Sequence, residues 1–211
     1  MKDPKGHNKN GPGLSRRDFL KGSGVAAATT LAPLPTLLAR EEGEKDKVVG
    51  MGPGPVKVEL TVNGQKMTQS LEPRVTLLDA LRNHLDVTGC KRVCDRGTCG
   101  ACTVMLDGKP IYACTMLAVE AQGHEIKTAE ALVADGKLDA VPAAFVQSDA
   151  QQCGFCTPGF VVAMRAAFDK NANATPAEIE EALSGNICRC GTYQQMRDAI
   201  AALCKSQGKG G

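Results

Sequence analysis

Ten cysteines are the residues of this chain with the clearest capacity for chemistry, and eight of them fall into two groups. The first group has the spacing C-x4-C-x2-C with a fourth cysteine further along, and the second has C-x2-C followed after 31 residues by C-x-C. The first spacing is the one by which a single loop wraps a [2Fe-2S] cluster, with two thiolates on each iron. Two such groups of four cysteines predict a chain that passes electrons one at a time through two iron-sulfur centres. The groups are Cys94, Cys99, Cys102 and Cys114, and then Cys153, Cys156, Cys188 and Cys190.

Glycines accompany both groups, and they bear on how a short loop can enclose a cluster. Gly97 and Gly100 lie between the cysteines of the first group, where they permit a positive φ and let backbone N–H groups turn toward sulfur. Gly154, Gly185 and Gly191 lie beside the second group in the same way. Because such donors offset the negative charge of a cluster and help to set its potential, we expect them in both loops.

Zinc, disulfide bonds and a Rieske centre are the alternative uses of these cysteines. The second group taken alone fits a structural zinc site by its spacing, whereas the first group lacks the two matched knuckles of a zinc ribbon. Cysteines only one, two or four residues apart would form strained loops if the nearest pairs were bridged, which argues against a disulfide scaffold. A Rieske centre needs two histidine ligands, and none of His7, His84 and His124 lies in a cysteine group.

Two cysteines are left over. Cys204 lies in an apolar helical pattern, which predicts a small buried residue. Cys90 precedes the first group and could replace Cys94 as a ligand, but the resulting C-x8-C spacing would break the tight loop. We therefore predict Cys94 as the ligand.

Three stretches of the chain together carry a resemblance to a known family. The stretches Gly89 to Val104, Gln151 to Gly159 and Ser184 to Tyr193 are similar to the signatures of the small iron-sulfur subunit of the xanthine oxidase family of molybdenum hydroxylases. That family includes aldehyde, carbon monoxide and isoquinoline oxidoreductases. The similarity runs from about Val56 to Leu203, with the three motifs in the expected order.

The resemblance implies an electron-transfer subunit whose substrate is oxidised on another chain. That partner would be a large molybdopterin-binding subunit, and a medium FAD-binding subunit or a cytochrome could take the electrons. The second cysteine group would lie nearest molybdenum and the first nearer the flavin or other acceptor. By the same resemblance Gln152 and Cys190 would contact the pterin. Aldehydes, purines and N-heterocycles are all candidate substrates, and a free-standing two-cluster ferredoxin or a structural zinc protein are the competing hypotheses.

The elements that must position the first group are strands with one helix. Residues 56–62 alternate apolar and polar, and Asn63-Gly64 then predicts a turn into a hairpin with residues 66–71. Residues 76–85 have helical spacing, residues 103–106 predict a strand, and a return strand is expected from Ile111 through Cys114. This order of elements is typical of a ferredoxin-like β-grasp domain.

The elements around the second group are predicted to be helices. The period changes near Leu138, and helices are expected at 141–147, 157–169, 176–183 and 194–205, with Thr175 as an N-cap. The resemblance implies that these helices form a four-helix bundle. The predicted fold class is therefore α+β, with an N-terminal ferredoxin-like β-grasp domain followed by a C-terminal all-α four-helix bundle.

The amino terminus resembles an export signal. Ser15 to Lys21 reads SRRDFLK, similar to a twin-arginine motif, and an uncharged, mildly apolar run follows from Gly22 to Ala39. A transmembrane anchor is the alternative, but the run only reaches the lower length limit and contains glycines, threonines and prolines. We predict a signal peptide and a periplasmic location without a stable membrane span. The predicted parts are a signal peptide at 1-40, a flexible linker at 41-54, a plant-type [2Fe-2S] domain at 55-132, a helical [2Fe-2S] domain at 133-205 and a disordered tail at 206-211.

Charge and missing motifs exclude other functions. The leader carries seven Lys or Arg and two acidic residues, so the formal charge of +2 for the whole chain becomes −3 for residues 41–211. A basic surface for nucleic acid is therefore not expected. The sequence has no P-loop, no Rossmann fingerprint and no HExxH motif, and we predict no catalytic residue on this chain itself.

Overall fold

The computed structural model describes residues 50–134 and 136–207. The predicted signal peptide, linker residues 41–49 and tail residues 208–211 lie outside the described residues. The described part is a mixed α/β chain in which a sheet is followed by helices. None of its helices has the length and apolar character needed to cross a membrane.

A five-stranded sheet forms the first half of the described chain. Its strands lie in the order β2-β1-β5-β3-β4, with β1 antiparallel to β2 and parallel to β5, and with β3 antiparallel to both β4 and β5. The strands are β1 (Val56–Val62), β2 (Gln65–Leu71), β3 (Thr103–Leu106), β4 (Lys109–Tyr112) and β5 (Glu125–Lys127), and a separate small hairpin pairs β6 (Val133–Ala134) with β7 (Lys137–Leu138).

The predicted first hairpin is confirmed. Val58, Leu60 and Val62 alternate along β1 and are each only 1% exposed, so one face of the strand lies in the core. Asn63 and Gly64 take left-handed φ values of 52° and 78°, which is the conformation that a tight two-residue turn requires. The alternation and the turn together set the register of β1 against β2.

One helix packs on the sheet, as the spacing of its leucines predicts. Helix α1 (Leu77–Asp79) continues as a π-helical segment, Ala80–His84. Thr76 caps its start by accepting a hydrogen bond from the Asp79 N–H. Leu77, Leu78 and Leu81 are fully buried in the same core as β1.

The return strand ends earlier than predicted. Strand β4 covers Lys109–Tyr112, and Cys114 lies in a 3-10 turn, Ala113–Thr115, rather than on the strand. The turn brings this cysteine back toward the loop that holds the rest of the first group, which a continuing strand would not do.

Four helices make up most of the second half. They are α2 (Ala140–Gln147), α3 (Thr157–Lys170), α4 (Pro176–Ala182) and α5 (Tyr193–Gln207), close to the predicted ranges. Thr175 is the predicted N-cap of α4, and with Glu178 it forms a reciprocal capping box. Helix α5 continues through Gln207, so two residues assigned to the tail are helical. Buried residues of these helices, including Phe145, Phe168 and Ile200, form a second core.

Candidate metal centres

Three cysteines of the first group, Cys94, Cys99 and Cys102, lie on the loop between the π-helical segment and β3, and the fourth, Cys114, lies in the 3-10 turn after β4. Asp95, Gly97 and Gly100 have φ values of 55°, 70° and 69°, which curl this loop. The Gly97 N–H donates to the Cys114 Sγ at 3.2 Å, and the Thr98 N–H donates to the Cys94 Sγ at 3.4 Å. Backbone donors therefore reach sulfur at this site, as the glycine spacing predicts.

The thiols of this loop come together in two pairs. Cys94 and Cys99 contact each other, and the hydrogen bonds of Thr98, with smaller ones from Arg96 and Cys99, lower the pKa of Cys94 to about 6. Cys102 pairs with Cys114, and its burial, together with that neighbouring thiol, raises its pKa to about 12. A cysteine binds a metal as the thiolate, so a bound cation would bring both thiols into the ionised form.

The second cysteine group comes from two separate segments. Cys153 and Cys156 lie immediately before α3, while Cys188 and Cys190 lie on the loop that leads into α5. The thiols again pair across the site, Cys153 with Cys190 and Cys156 with Cys188. Helix packing is thus what brings the two halves of this site together.

The second site also contains thiols with a lowered pKa and a thiol with a raised pKa. Burial, followed by the Cys188 thiol, raises the pKa of Cys156 to about 12. Burial also opposes ionisation of Cys188, but the hydroxyl and the backbone N–H of Thr192 outweigh it and lower that pKa to about 7. The backbone N–H of Phe155 lowers the pKa of Cys153.

This two-by-two arrangement fits a binuclear cluster. Each iron of a [2Fe-2S] cluster takes two cysteines, and both sites offer two thiol pairs. Across residues 50–134 and 136–207, no three Cys, His, Asp or Glu side chains converge closely enough to hold a single metal ion.

Hydroxyl groups next to the second cysteines add to this fit. The Thr192 Oγ1 lies 3.2 Å from the Cys188 Sγ, and the Cys188 N–H donates to the Tyr193 hydroxyl at 2.8 Å. The Thr157 Oγ1 is buried and has no hydrogen-bond partner among the described residues. These residues were not predicted from the sequence, although their positions beside the cysteines were a usable signal.

A seam of polar contacts joins the two cysteine loops. The Ile187 N–H donates to the Cys99 carbonyl at 2.9 Å, which places a hydrogen bond between a residue of the first group and the neighbour of Cys188. The buried Asn186 side chain donates to the Gly100 carbonyl at 2.9 Å, and the Tyr112 hydroxyl donates to the Gly185 carbonyl at 3.0 Å. These contacts span more than 70 residues of sequence, and no local pattern predicts them.

A close backbone contact between α3 and the first cysteine loop lies in the same seam. A Cβ added at Gly159, in the first turn of α3, would collide with the Gly100 carbonyl and lie 3.1 Å from the Ala101 Cα. Only a residue without a side chain allows α3 to lie this close to the first cysteine loop. The glycine in the QQCGFCTPG stretch is therefore a packing requirement.

The two leftover cysteines contact backbone carbonyls. Cys90 is 1% exposed and its Sγ contacts the Val87 carbonyl, while burial and the nearby Glu130 raise its pKa to about 11. Cys204 is half-buried, and its Sγ donates to the Ala174 carbonyl. Both behave as structural residues, which supports Cys94 as the ligand.

The second site opens to the surface. Cys153, Cys190 and Gln152 are all exposed. Large apolar side chains flank them in sequence, with Phe155 49% and Ile187 52% exposed. Such side chains are expected where another chain covers the surface.

Three family models match the sequence. Residues 60–133 match a 2Fe-2S iron-sulfur cluster binding domain, and residues 128–201 match a [2Fe-2S] binding domain. Residues 13–33 match the signal sequence of the twin-arginine translocation pathway. The models thus cover both cysteine groups and the predicted leader.

Curated proteins and solved structures are similar over most of the chain. The gamma subunit of caffeine dehydrogenase from a Pseudomonas species is 44% identical over 149 residues, covering 69% of this chain and 89% of that protein. The iron-sulfur-binding subunit of Escherichia coli K12 aldehyde oxidoreductase is 38% identical, covering 92% of this chain and 90% of that protein. A chain of quinoline 2-oxidoreductase from Pseudomonas putida is 38% identical with a TM-score of 0.69, covering 73% of this chain and 96% of that chain.

Proposed function

The chain belongs to the iron-sulfur subunits of the molybdenum hydroxylases, and we propose that its eight grouped cysteines are the ligands of two [2Fe-2S] clusters. A subunit of this family transfers electrons within an oxidoreductase complex. Each cluster, when bound, accepts and releases one electron. The chain's own residues supply the cages, the hydrogen bonds around them and the link between them.

The observation that carries the ligand assignment is the pairing of thiols. Cys94 with Cys99 and Cys102 with Cys114 would each hold one iron of the first cluster. In the second site the corresponding pairs are Cys153 with Cys190 and Cys156 with Cys188.

The seam between the loops supports electron transfer from one site to the other. The hydrogen bond from the Ile187 N–H to the Cys99 carbonyl joins a cysteine of the first group to the neighbour of Cys188. Hydrogen bonds of Asn186 and Tyr112 join the same two parts of the chain. These contacts would hold the two sites close to each other.

The division of the chain follows from the two cores. We place a ferredoxin-like β-grasp domain at residues 55–132 and a four-helix bundle at residues 133–205. The sheet order 2-1-5-3-4 with one packed helix supports the first assignment, and a shared core among α2 to α5 supports the second.

The open side of the second site is proposed to face the large molybdopterin-binding subunit. Gln152 and Cys190 are exposed and so are available to contact the pterin. The exposed Phe155 and Ile187 supply an apolar rim that the large subunit would bury. The first site would then pass electrons to an FAD-binding subunit or a cytochrome, with the complex in the periplasm.

Serine substitutions test the ligand set. Cys99→Ser should abolish the electron paramagnetic resonance signal of the first cluster and leave that of the second, while Cys188→Ser should do the reverse, and each should halve the iron content. Cys204→Ser is the matched control, since its thiol lies outside both sites, and it should retain both signals. Finding zinc in place of iron, or one signal in the unmodified chain, would contradict the proposal.

A further inference from the structure

Thr192 is the side chain that most directly contacts a proposed ligand of the second cluster. It is 1% exposed, and its Oγ1 lies 3.2 Å from the Cys188 Sγ. A cysteine that binds iron is a thiolate and carries no proton. The hydroxyl must therefore be the donor when the cluster is bound.

Thr157 provides a second hydroxyl at the same site. It follows Cys156 directly and begins α3. Its oxygen is buried, yet it has no hydrogen-bond partner in residues 50–134 and 136–207. Buried hydroxyls are almost always hydrogen-bonded in folded proteins, so its partner is expected to be a group that the polypeptide itself does not supply.

We infer that the hydroxyls of Thr192 and Thr157 donate hydrogen bonds to the sulfur atoms of the second cluster site and raise its reduction potential. Reduction adds negative charge to the sulfurs, and a donor stabilises the more negative, reduced form more than the oxidised one. The role of both hydroxyls rests on the ligand set proposed above, in which Cys156 and Cys188 bind the second cluster.

The substitutions that test this role change the hydroxyl and little else. Thr192→Val and Thr157→Val keep the shape of the side chain and remove the donor, and Thr192→Ser keeps the donor and removes only a methyl group. Thr115→Val is the matched control. Thr115 follows the ligand Cys114, but its hydroxyl donates to the Tyr112 carbonyl at 2.9 Å.

The measurement is a potentiometric titration of the full chain with both clusters loaded, followed by electron paramagnetic resonance. Each valine variant should move the midpoint potential of the second signal to a lower value and leave the first signal unmoved, and the double variant should move it further. Thr192→Ser should restore the wild-type potential, and Thr115→Val should change neither signal.

The possible results separate this inference from the ligand assignment. Two wild-type signals with an unchanged second potential in both valine variants would overturn the role of the hydroxyls and leave the ligand set standing. A shift in both signals would overturn it too, because a general loosening of the fold would explain it. If Thr192→Val fails to load the second cluster, Thr157→Val decides, since Thr157 does not contact Cys188. A wild-type chain without a second signal would overturn both proposals.

Discussion

The two cysteine sites are assembled in different ways. The first takes three cysteines from one curled loop and the fourth, Cys114, from a 3-10 turn after the β3–β4 hairpin. The second takes two cysteines from each of two segments that are separated by α3 and α4. No cysteine of the first site is exposed, whereas Cys153 and Cys190 are exposed at the second. The site assembled by helix packing is therefore the one whose thiols a partner could reach.

The largest effect is expected from the cysteine on which the local loop depends. Cys94→Ser should abolish the first cluster, because its thiol pairs with Cys99 and has the pKa of about 6 that favours metal binding. Cys90→Ser should leave both clusters in place, since Cys90 is buried in the sheet core and its Sγ contacts the Val87 carbonyl. Visible absorption and electron paramagnetic resonance spectra of both variants show whether Cys94 or Cys90 is needed for the first cluster. The reverse outcome would show that Cys90 is the ligand.

Shortening a side chain in the helical core should weaken cluster retention at the second site more than at the first. Phe168 is 1% exposed in that core, and Phe168→Ala is expected to cost about 3–5 kcal/mol. Because the helices bring together the two segments that carry the second cysteine group, its signal should disappear at a lower denaturant concentration than the first. Val146→Ala, at a residue 62% exposed on α2, should leave the order of loss unchanged. Loss of the first cluster before the second in Phe168→Ala would refute the difference between the sites.

A substitution at the seam should affect both sites together. Gly159→Ala introduces a Cβ against the Gly100 carbonyl, and overpacking of this kind costs about 1–3 kcal/mol. We expect both clusters to be lost in parallel during thermal unfolding, at a lower temperature than in the wild type. Gly54→Ala is the control, because a Cβ there meets open space. An unchanged melting temperature for Gly159→Ala would mean that the close approach is not needed.

A smaller, pH-dependent effect is expected at the start of α4. The backbone N–H of Thr175, with its hydroxyl, lowers the pKa of Glu178 below the ordinary 4.5. The carboxylate therefore stabilises the folded form above the unfolded-state pKa, and this contribution is lost as the pH falls through the lower folded-state value. Glu178→Gln should be slightly less stable than wild type at neutral pH and equal to it in strong acid, as measured by chemical denaturation. A difference that grows with acidity would have the wrong sign.

The leader should affect neither site. Replacing Arg16 and Arg17 by lysine is expected to keep the chain in the cytoplasm with both clusters bound, because the pair is recognised by the export machinery for folded cargo. A partner without its own leader should be retained with it. Cell fractionation with assays for both subunits measures this, and unchanged delivery to the periplasm would exclude a twin-arginine signal.

Sequence patterns predicted the elements that short-range physics determines. The Asn63-Gly64 turn, the alternation along β1 and the Thr175 cap each act within a few residues, and the structure confirms all three. The paired use of the cysteines could be expected from their spacing. The position of Cys114 in a turn was not expected, because one residue more or less of strand carries little energy.

The contacts between residues far apart in the sequence could not be predicted from it. Asn186 reaches Gly100 across 86 positions, and nothing in the residues beside either one indicates the other. Nothing in the sequence distinguishes Thr192 from other loop residues. In the fold, its hydroxyl contacts the Cys188 Sγ. Such contacts depend on how the sheet and the helices pack against each other. Periodicity and turn signals predict each of these halves but not the packing between them.

The seam has a consequence for how such proteins can be recombined. An unrelated ferredoxin domain could not simply replace the sheet half, because the helical half packs against a glycine at position 100 and donates hydrogen bonds to the Cys99 and Gly100 carbonyls. A chimera would keep these contacts only if the segment around Cys99 and the segment around Asn186 were transplanted together. The smallest part of this protein that could be transplanted as a unit is therefore the two cysteine loops together with the seam between them.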